Sequence, residues 1–572
     1  MRKLVSLLVT LAMLLSILPI AAVSADETKE LVTLESLSTY PTTCTPDEAK
    51  SMAMWADFDA MFAKYGVKIE FTYVDSDQYS TVLQARIASD QMPNIFVASS
   101  LDSASCINLV QQGKILAVDD CLQYSDGTAV YALSEEGYMY PCRQKDTFED
   151  GKLWYLGQDS MLPSVRRTDD NFGWNCVTSN LYSLKVRQDW LDALNMEMPT
   201  TLEGFFDMLI AFRENDMNGN GVADERMVIP TGSCNTTWGG CFDNGVTGWF
   251  GLANYVFQLN RVTKKAEVPF LQEGFVPYMQ FLRDCVNAGV LYISDSVGKN
   301  DTNLTSLLAE NVVSAFFQRA DIDWAGTPED ATYALLGKIQ AVEGIEPVMD
   351  GSVGQKAWDL RGFSYDTDPV AAAGYLDVVC SVDWSVFWNL GVEGKSFEVL
   401  ETGIHKFIAP TDKAEWVAYG YTTGENLLGG DGRLNRTSLS AVYDSYNGGN
   451  LYWNSYDEFI SSEYFTEYWH ANKAEHLQKN ILAWVELAKN TPQMYNMNGD
   501  LTMIAPMLTL EEAEVLDFYQ TDLYTAMDEL FANLLSGTWD LANYDSYVQQ
   551  LYDYGLQEVW DVAQARYDRI SW

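Results

Sequence analysis

The stretch Val67-Lys-Ile-Glu-Phe-Thr-Tyr-Val74, followed by Asp77 to Asp90 and then by Asn94-Ile-Phe-Val-Ala98, decides the fold class. Val67 to Val74 reads as a strand, Asp77 to Asp90 as a helix, and Asn94 to Ala98 as a second strand. Another helix spans about Ala104 to Gln112. Upstream, Thr45-Pro46-Asp47-Glu48 is a capping box with proline at N1. It predicts a helix starting there and running through Met52, Trp55, Phe58, Met61 and Phe62. Strands alternating with helices give an α/β lobe with a parallel sheet, whose ligands sit at the carboxyl ends of the strands. Ser99 and Ser100, just past the second strand, stand where that rule places ligand contacts.

Met1 to Ala25 has a basic start (Arg2, Lys3), an apolar run from Leu4 to Ala22 and a small-x-small ending at Val23-Ser24-Ala25. This is the pattern of a secretory signal peptide, and it predicts an exported mature chain. The 572 residues carry 80 acidic and 36 basic side chains, for a formal charge of -44, and loss of the leader removes Arg2 and Lys3 as well. Such a field excludes binding of nucleic acid or an anionic membrane through general electrostatics. The length calls for two or more domains with ample cores. The 17 Trp and 32 Tyr supply flat amphipathic rings that suit sugar or peptide faces, with core packing the default for any one of them.

Nine cysteines cannot all pair within one chain. Cys234 with Cys241, and Cys121 with Cys142, are close enough in sequence to close small loops, and reduced thiols are the alternative. With three histidines (His405, His470, His476) and no Cys-x-x-Cys, neither a zinc site nor a Cys-His or Ser-His catalytic centre has support.

One loop carries metal chemistry. In Glu214-Asn-Asp-Met-Asn-Gly-Asn-Gly-Val-Ala-Asp-Glu225, counted from Asp216, oxygen side chains fall at position 3 (Asn218), position 5 (Asn220), position 9 (Asp224) and position 10 (Glu225). Gly221 sits at position 6, where an EF-hand loop turns sharply, and Val222 offers its carbonyl at position 7. A calcium ion takes six to eight such oxygens. The pattern breaks at position 12, where Met227 replaces the bidentate carboxylate, and Asp224 and Glu225 are left to supply the difference. The alternative is an Asn/Gly-rich turn with no metal.

The order of motifs resembles family 1 extracellular solute-binding proteins, the substrate-capturing subunits of ABC importers. Ser89-Asp90-Gln91-Met92-Pro93-Asn94-Ile95-Phe96 and Leu109 to Leu116 are similar to that family's first lobe. Asp150-Gly151-Lys152-Leu153-Trp154-Tyr155 resembles its crossing strand. Val186 to Leu194 and Met198 to Glu203 follow, with Thr200 to Glu203 as a capping box that starts the helix leading into the calcium loop. Gly248-Trp249-Phe250-Gly251, Tyr278 to Arg283, Trp384 to Phe397 and the tail from Leu508 to Arg569 continue the match. The resemblance covers most of residues 45 to 570, more weakly at about 325 to 380 and 410 to 500. No lipobox cysteine stands at the cleavage point, the first cysteine being Cys44, so lipid anchoring is in doubt.

The resemblance implies an α/β, two-lobe periplasmic-binding-protein-like fold of the class II type with a cleft between lobes. It assigns residues 26–157 plus about 312–375 to the N-terminal lobe, and 158–311 plus about 376–572 to a C-terminal lobe carrying the calcium loop. It makes Asp216, Asn218, Asn220, Val222, Asp224 and Glu225 ligands of a structural calcium. It further implies a monomeric receptor that captures an oligosaccharide and hands it to the ABC permease, with no enzymatic role. Cleft candidates for stacking are Trp154, Tyr155, Trp238, Trp249, Trp324 and Trp388, with Ser99, Ser100, Asp102, Arg319 and Asp321 as polar candidates. The rival classes are a secreted glycoside hydrolase, for which no catalytic motif is visible, and a carbohydrate- or peptide-binding surface protein without transport.

Overall fold

The computed structural model describes residues 31–39, 51–157, 182–230, 246–294, 302–351, 360–399, 405–407, 421–423, 426–427, 474–495 and 507–569, apart from a few short gaps inside these ranges. The signal peptide and the capping box at Thr45 lie outside the described residues, as do Cys142, Cys234, Cys241, Trp238, Asp321 and Trp388.

The first lobe opens with β1 (Val32–Thr39), α1 (Met54–Ala63), β2 (Val67–Val74), α2 (Tyr79–Ala88), β3 (Ile95–Val97), α3 (Ser103–Gln111), β4 (Ile115–Leu116), α4 (Val118–Leu122) and α5 (Thr128–Ala132). Where it is described, the expected helix from Thr45 is interrupted: Ser51 is helical, Met52 and Ala53 are not, and α1 begins at Met54. Its inward face, Met54, Phe58 and Phe62, follows the four-residue spacing that stacks side chains along one side of a helix.

The second lobe holds β5 (Tyr182–Arg187), α6 (Gln188–Leu194), α7 (Leu202–Glu214), β6 (Arg226–Pro230), β7 (Gln258–Asn260), β8 (Lys265–Glu267), α8 (Phe275–Ala288), β9 (Leu291–Ser294), α9 (Thr302–Ala309), β10 (Val313–Arg319), β11 (Tyr333–Leu335) and β12 (Met349–Gly351). The chain then returns to the first lobe through β13 (Arg361–Ser364) and α10 (Pro369–Val379). It ends with α11 (Glu475–Asn490), β14 (Gln493–Tyr495), α12 (Leu510–Leu535), α13 (Tyr544–Asp553) and α14 (Leu556–Asp568).

The first sheet has the order β2-β1-β3-β13-β4. β1 runs parallel to β2 from Val32 opposite Val67 to Thr39 opposite Val74, and parallel to β3. β13 is antiparallel to both β3 and β4. The sheet is therefore mixed, which corrects the expectation of a purely parallel one. The cause is topological: β13 re-enters beside the outgoing segment, so it starts at the carboxyl end of β3, with Arg361 opposite Val97. The outgoing and returning segments meet as a bridge in which Leu156 N donates to Arg361 O and Arg361 N to Leu156 O, both at 2.9 Å.

The second sheet has the order β11-β5-β10-β6-β9, with β6, β9 and β10 parallel to one another and β5 antiparallel to β10. β10 and β11 thus belong to the second lobe, so the assignment of 312–375 as a whole to the first lobe is corrected. The opposite correction applies past residue 376. Trp384 and Phe387 pack into the first lobe's core with Phe58, Phe62 and Tyr375, and Lys395 Nζ donates to Asp57 Oδ1 at 2.7 Å. A smaller sheet, β12-β14-β7-β8, draws in the late strand β14.

The second lobe's core is gathered from α7 (Phe205, Met208, Leu209, Phe212), α8 (Tyr278, Met279, Leu282), α12 (Met527, Leu530, Leu534) and α14 (Val559, Ala563). Each large apolar side chain buried there contributes about 1.5 to 3 kcal/mol. The cap of α7 is Thr201, whose hydroxyl accepts from Gly204 N at 3.1 Å, so the expected capping box at Thr200 is shifted by one residue. That shift leaves Glu203 one place short of the position from which it could reach back. Cys121 is a free thiol, buried and donating to Ala117 O at 3.4 Å, so the Cys121–Cys142 bridge does not form. Burial pushes its thiol up to about 12, so it is inert as a nucleophile at neutral pH.

Candidate functional site: an oxygen-lined loop and a cleft end

The loop between α7 and β6 closes on itself through the oxygens that the sequence singled out. Asp216 starts it in the left-handed region (φ 46), and Gly219 and Gly221 continue the turn at φ 70 and 84. Asp216 Oδ1 accepts from Asn220 N at 3.1 Å and its Oδ2 from Gly221 N at 2.9 Å. Asn218 Oδ1 accepts from Asn220 N at 3.0 Å, and Asn220 Oδ1 from Val222 N at 2.7 Å. The amide nitrogens of Asn218 and Asn220 both donate to the Asp224 carboxylate at 3.1 Å. Glu225 is fully buried; its Oε1 accepts from Asn218 N at 3.1 Å, while its Oε2 has no partner among the described residues.

These residues fit a hard cation. A fully buried carboxylate oxygen without a donor is costly unless something positive satisfies it. A half-turn of the Asn218 and Asn220 amides exchanges the nitrogens that face Asp224 for oxygens, at the expense of the bonds their Oδ1 atoms accept from Asn220 N and Val222 N. Among the described residues no three His, Cys, Asp or Glu side chains converge as a metal cluster, and the loop's donors are a mixture of carboxylate, amide and carbonyl oxygen. That mixture suits calcium rather than a transition metal.

The second feature is the carboxyl end of the first sheet. Ser99 and Ser100 form a short 3-10 turn directly after β3, with Ser100 Oγ donating to Val97 O at 2.9 Å. Asp102 is exposed and caps α3, accepting from Ser105 N at 2.6 Å and Ser105 Oγ at 2.9 Å. Across from it, burial and then the Asp102 carboxylate raise the Asp517 carboxyl above its ordinary range, so α3 and α12 face each other here. Ile107 of α3 joins the second lobe's core, which makes α12 a contact between lobes.

The aromatic candidates divide. Trp154 is half-buried, its Nε1 donates to Asp150 Oδ2 at 2.9 Å, and Lys152 Nζ lies 5.5 Å from its ring centre. Tyr155 has no exposed surface and spends its hydroxyl on Cys106 O at 2.9 Å. Trp249 is buried edge-on against Phe205, with ring centres 5.0 Å apart. Both are therefore core residues and are withdrawn as stacking platforms, because neither has a ring face free for a sugar. Trp324 is half-buried on the second lobe's own cluster and donates to Thr305 Oγ1 at 3.1 Å. Arg319 ends β10 at its carboxyl end. Sequence reading missed Asp75 and Asp77, exposed after β2, and Asp517. The strand Val67 to Val74 followed by two aspartates was the available signal.

No protein-family model matches the chain. Lipoprotein LipO of Bacillus subtilis is 24% identical over 370 residues, covering 61% of this chain and 65% of that protein. The fructooligosaccharide ABC transporter substrate-binding protein FusA of Streptococcus pneumoniae is 26% identical over 160 residues, 28% of each chain. The chain thus spans less than two thirds of the length of these relatives in sequence. Among solved structures, an extracellular solute-binding protein from Bifidobacterium longum subsp. infantis superposes with a TM-score of 0.66 at 16% identity, over 95% of this chain and 99% of that one. The fold is that of the two-domain extracellular solute-binding proteins. FusA in complex with kestose gives a TM-score of 0.65 at 16% identity, over 94% and 99% of the two chains. Among the described residues no helix is long and apolar enough to cross a membrane.

Proposed function

We propose that the protein is the extracellular solute-binding receptor of an ABC importer, capturing an oligosaccharide between its lobes and passing it to the membrane permease. The observation that carries this reading is the two-lobe fold shared, over 94% of this chain, with a protein solved in complex with kestose. The sequence relative FusA, described as an ABC transporter substrate-binding protein for fructooligosaccharides, supports it. The signal-peptide pattern at Met1 to Ala25 supports export. The receptor acts as a monomer and does not turn its ligand over.

In this reading the ligand bridges the carboxyl end of the first sheet and that of the second. Its differential affinity for the closed arrangement drives the hinge. The half-buried Trp154, beside Lys152, stacks on a sugar ring, and Ser99 and Ser100 offer hydroxyls. Arg319, the last residue of β10, answers from the other lobe; Trp238 and Asp321, which come after β6 and β10 in sequence, are further candidates, and Trp388 and Trp324 are the weaker aromatic ones. Asp216, Asn218, Asn220, Asp224, Glu225 and the Val222 carbonyl hold a structural calcium, which braces the joint between α7 and β6 without contacting ligand.

Titration with labelled oligosaccharides, with the sugar recovered and sized afterwards, tests the proposal. Saturable binding with the sugar intact is expected. Shortened products formed in excess of protein would instead mark a hydrolase.

A further inference from the structure

We infer that the ligand is an uncharged oligosaccharide and that the site discriminates against uronate or sulfated glycans of the same length. The inference rests on the receptor reading and adds the ligand's charge class to it.

The cleft ends of the lobes are located by strand direction, and charge is distributed unevenly between the two ends of the first sheet. At the amino end lie Lys68, Arg86 and Lys114, spent on Glu70, Glu35 and Asp90. At the carboxyl end, Asp75 and Asp77 follow β2 and Asp102 follows β3, all three exposed and without a cationic partner among the described residues. Among the described residues, the cations that reach this end are already engaged. Arg143 binds Asp119 at 2.6 Å, Lys152 binds Asp120 at 2.8 Å, and Arg361 is buried with Nη1 donating to Tyr375 Oη at 2.9 Å. Asp517 adds a further carboxylate beside Asp102. At the matching end of the second sheet the described residues contribute Arg319, the last residue of β10, and Lys338, which follows β11 and is paired with Glu346.

A polyanionic chain laid across this end would meet a surplus of carboxylates at close range, where salt screens least, within a molecule of formal charge -44. Recognition of a carboxylated sugar favours the opposite arrangement, unspent Arg or Lys forks facing each carboxylate. Neutral sugars need aromatic faces and hydroxyl partners, which Trp154, Ser99 and Ser100 supply, and they tolerate carboxylates as acceptors for their hydroxyls.

The test titrates the mature full-length protein with short neutral fructans, glucans, galactans, mannans and xylans. Galacturonate, alginate and sulfated fragments of matched length are run alongside, each at low and high salt. Binding confined to neutral members, with an affinity that salt changes by less than about twofold, is expected. An acidic fragment binding as tightly as the best neutral one, or a best binder weakened about tenfold by salt, overturns the inference while leaving the receptor reading intact. Failure of every glycan to bind overturns both. A triple substitution Asp75→Asn, Asp77→Asn, Asp102→Asn retains the α3 cap, since Asn caps as well as Asp. It is expected to raise the affinity for acidic fragments about tenfold, and no gain removes these carboxylates as the cause.

Discussion

Glu225 carries a local demand in the second lobe, a fully buried carboxylate with one oxygen satisfied by Asn218 N and the other by nothing among the described residues. If a calcium ion answers that demand, adding EGTA lowers the melting temperature of the wild-type protein, and Glu225→Ala abolishes the difference between melts with and without calcium. A calcium increment that survives the substitution would remove Glu225 from the ligand set. A second residue-scale expectation concerns Glu35. Two hydrogen bonds from Arg86, each 2.7 Å, hold its carboxyl below the ordinary value of 4.5. A depressed folded-state value means that the pair's contribution is present above about pH 4.5 and is lost as pH falls through the depressed value. Glu35→Gln should therefore cost about 0.5 to 1 kcal/mol in urea unfolding at neutral pH and progressively less below pH 4.5, because the pair is partly exposed. The oxygens of the 216–225 loop were legible because loop spacing fixes which side chains converge. The fates of Tyr155 at the crossing strand and Trp249 after the calcium loop were not, because an aromatic at either place reads the same whether its ring faces core or cleft.

Among the elements, α12 is the one whose ends and face decide most. Its capping box is complete: Thr509 Oγ1 accepts from Glu512 N at 3.1 Å, and Glu512 Oε2 accepts from Thr509 N at 2.9 Å. Arg569 of the tail then clamps Glu512, with Nη2 to Oε2 at 2.7 Å. Thr509→Ala should cost about 1 kcal/mol, measured by denaturant unfolding. Gly555 enters α14 at φ 88, and a Cβ there would stand 2.2 Å from the Tyr519 ring of α12. Gly555→Ala combines backbone strain with a steric clash and should cost about 2 kcal/mol or more; a neutral result would show that α14 can move off α12. The sequence order of helix-forming stretches in the tail was readable, and so were β2 and α3 to within a few residues. β1 was not, since Val-Thr-Leu-Glu-Ser-Leu-Ser-Thr is too polar to advertise a strand paired on both sides in its sheet, with Ser36, Ser38 and Thr39 buried in it.

At the scale of the molecule, the chain leaves the first lobe near Gly157, builds the second, and returns at Leu360 before ending in helices that touch both. The exit at 157 agrees with the sequence reading, whereas the bounds at about 312 and 375 do not, since β10 and β11 pair in the second sheet and Trp384 and Phe387 pack in the first lobe. Strand pairing between distant segments, such as β10 with β5, leaves no local trace. Among the described residues the lobes are joined at the paired crossing of Leu156 with Arg361 and through α3 and α12, so closure would bend the chain there. Small-angle scattering should accordingly register a smaller radius of gyration when ligand is bound, and an unchanged curve at saturation would argue against closure.

The most direct measurement is calorimetric titration of the mature protein with neutral oligosaccharides, followed by sizing of the recovered sugar. The account expects saturable heat with one sugar class, a melting temperature that climbs with ligand concentration by the equivalent of about 2.7 kcal/mol at one hundred times Kd, and sugar recovered intact. No binding to any oligosaccharide, or recovery of cleaved sugar in molar excess over protein, would contradict it.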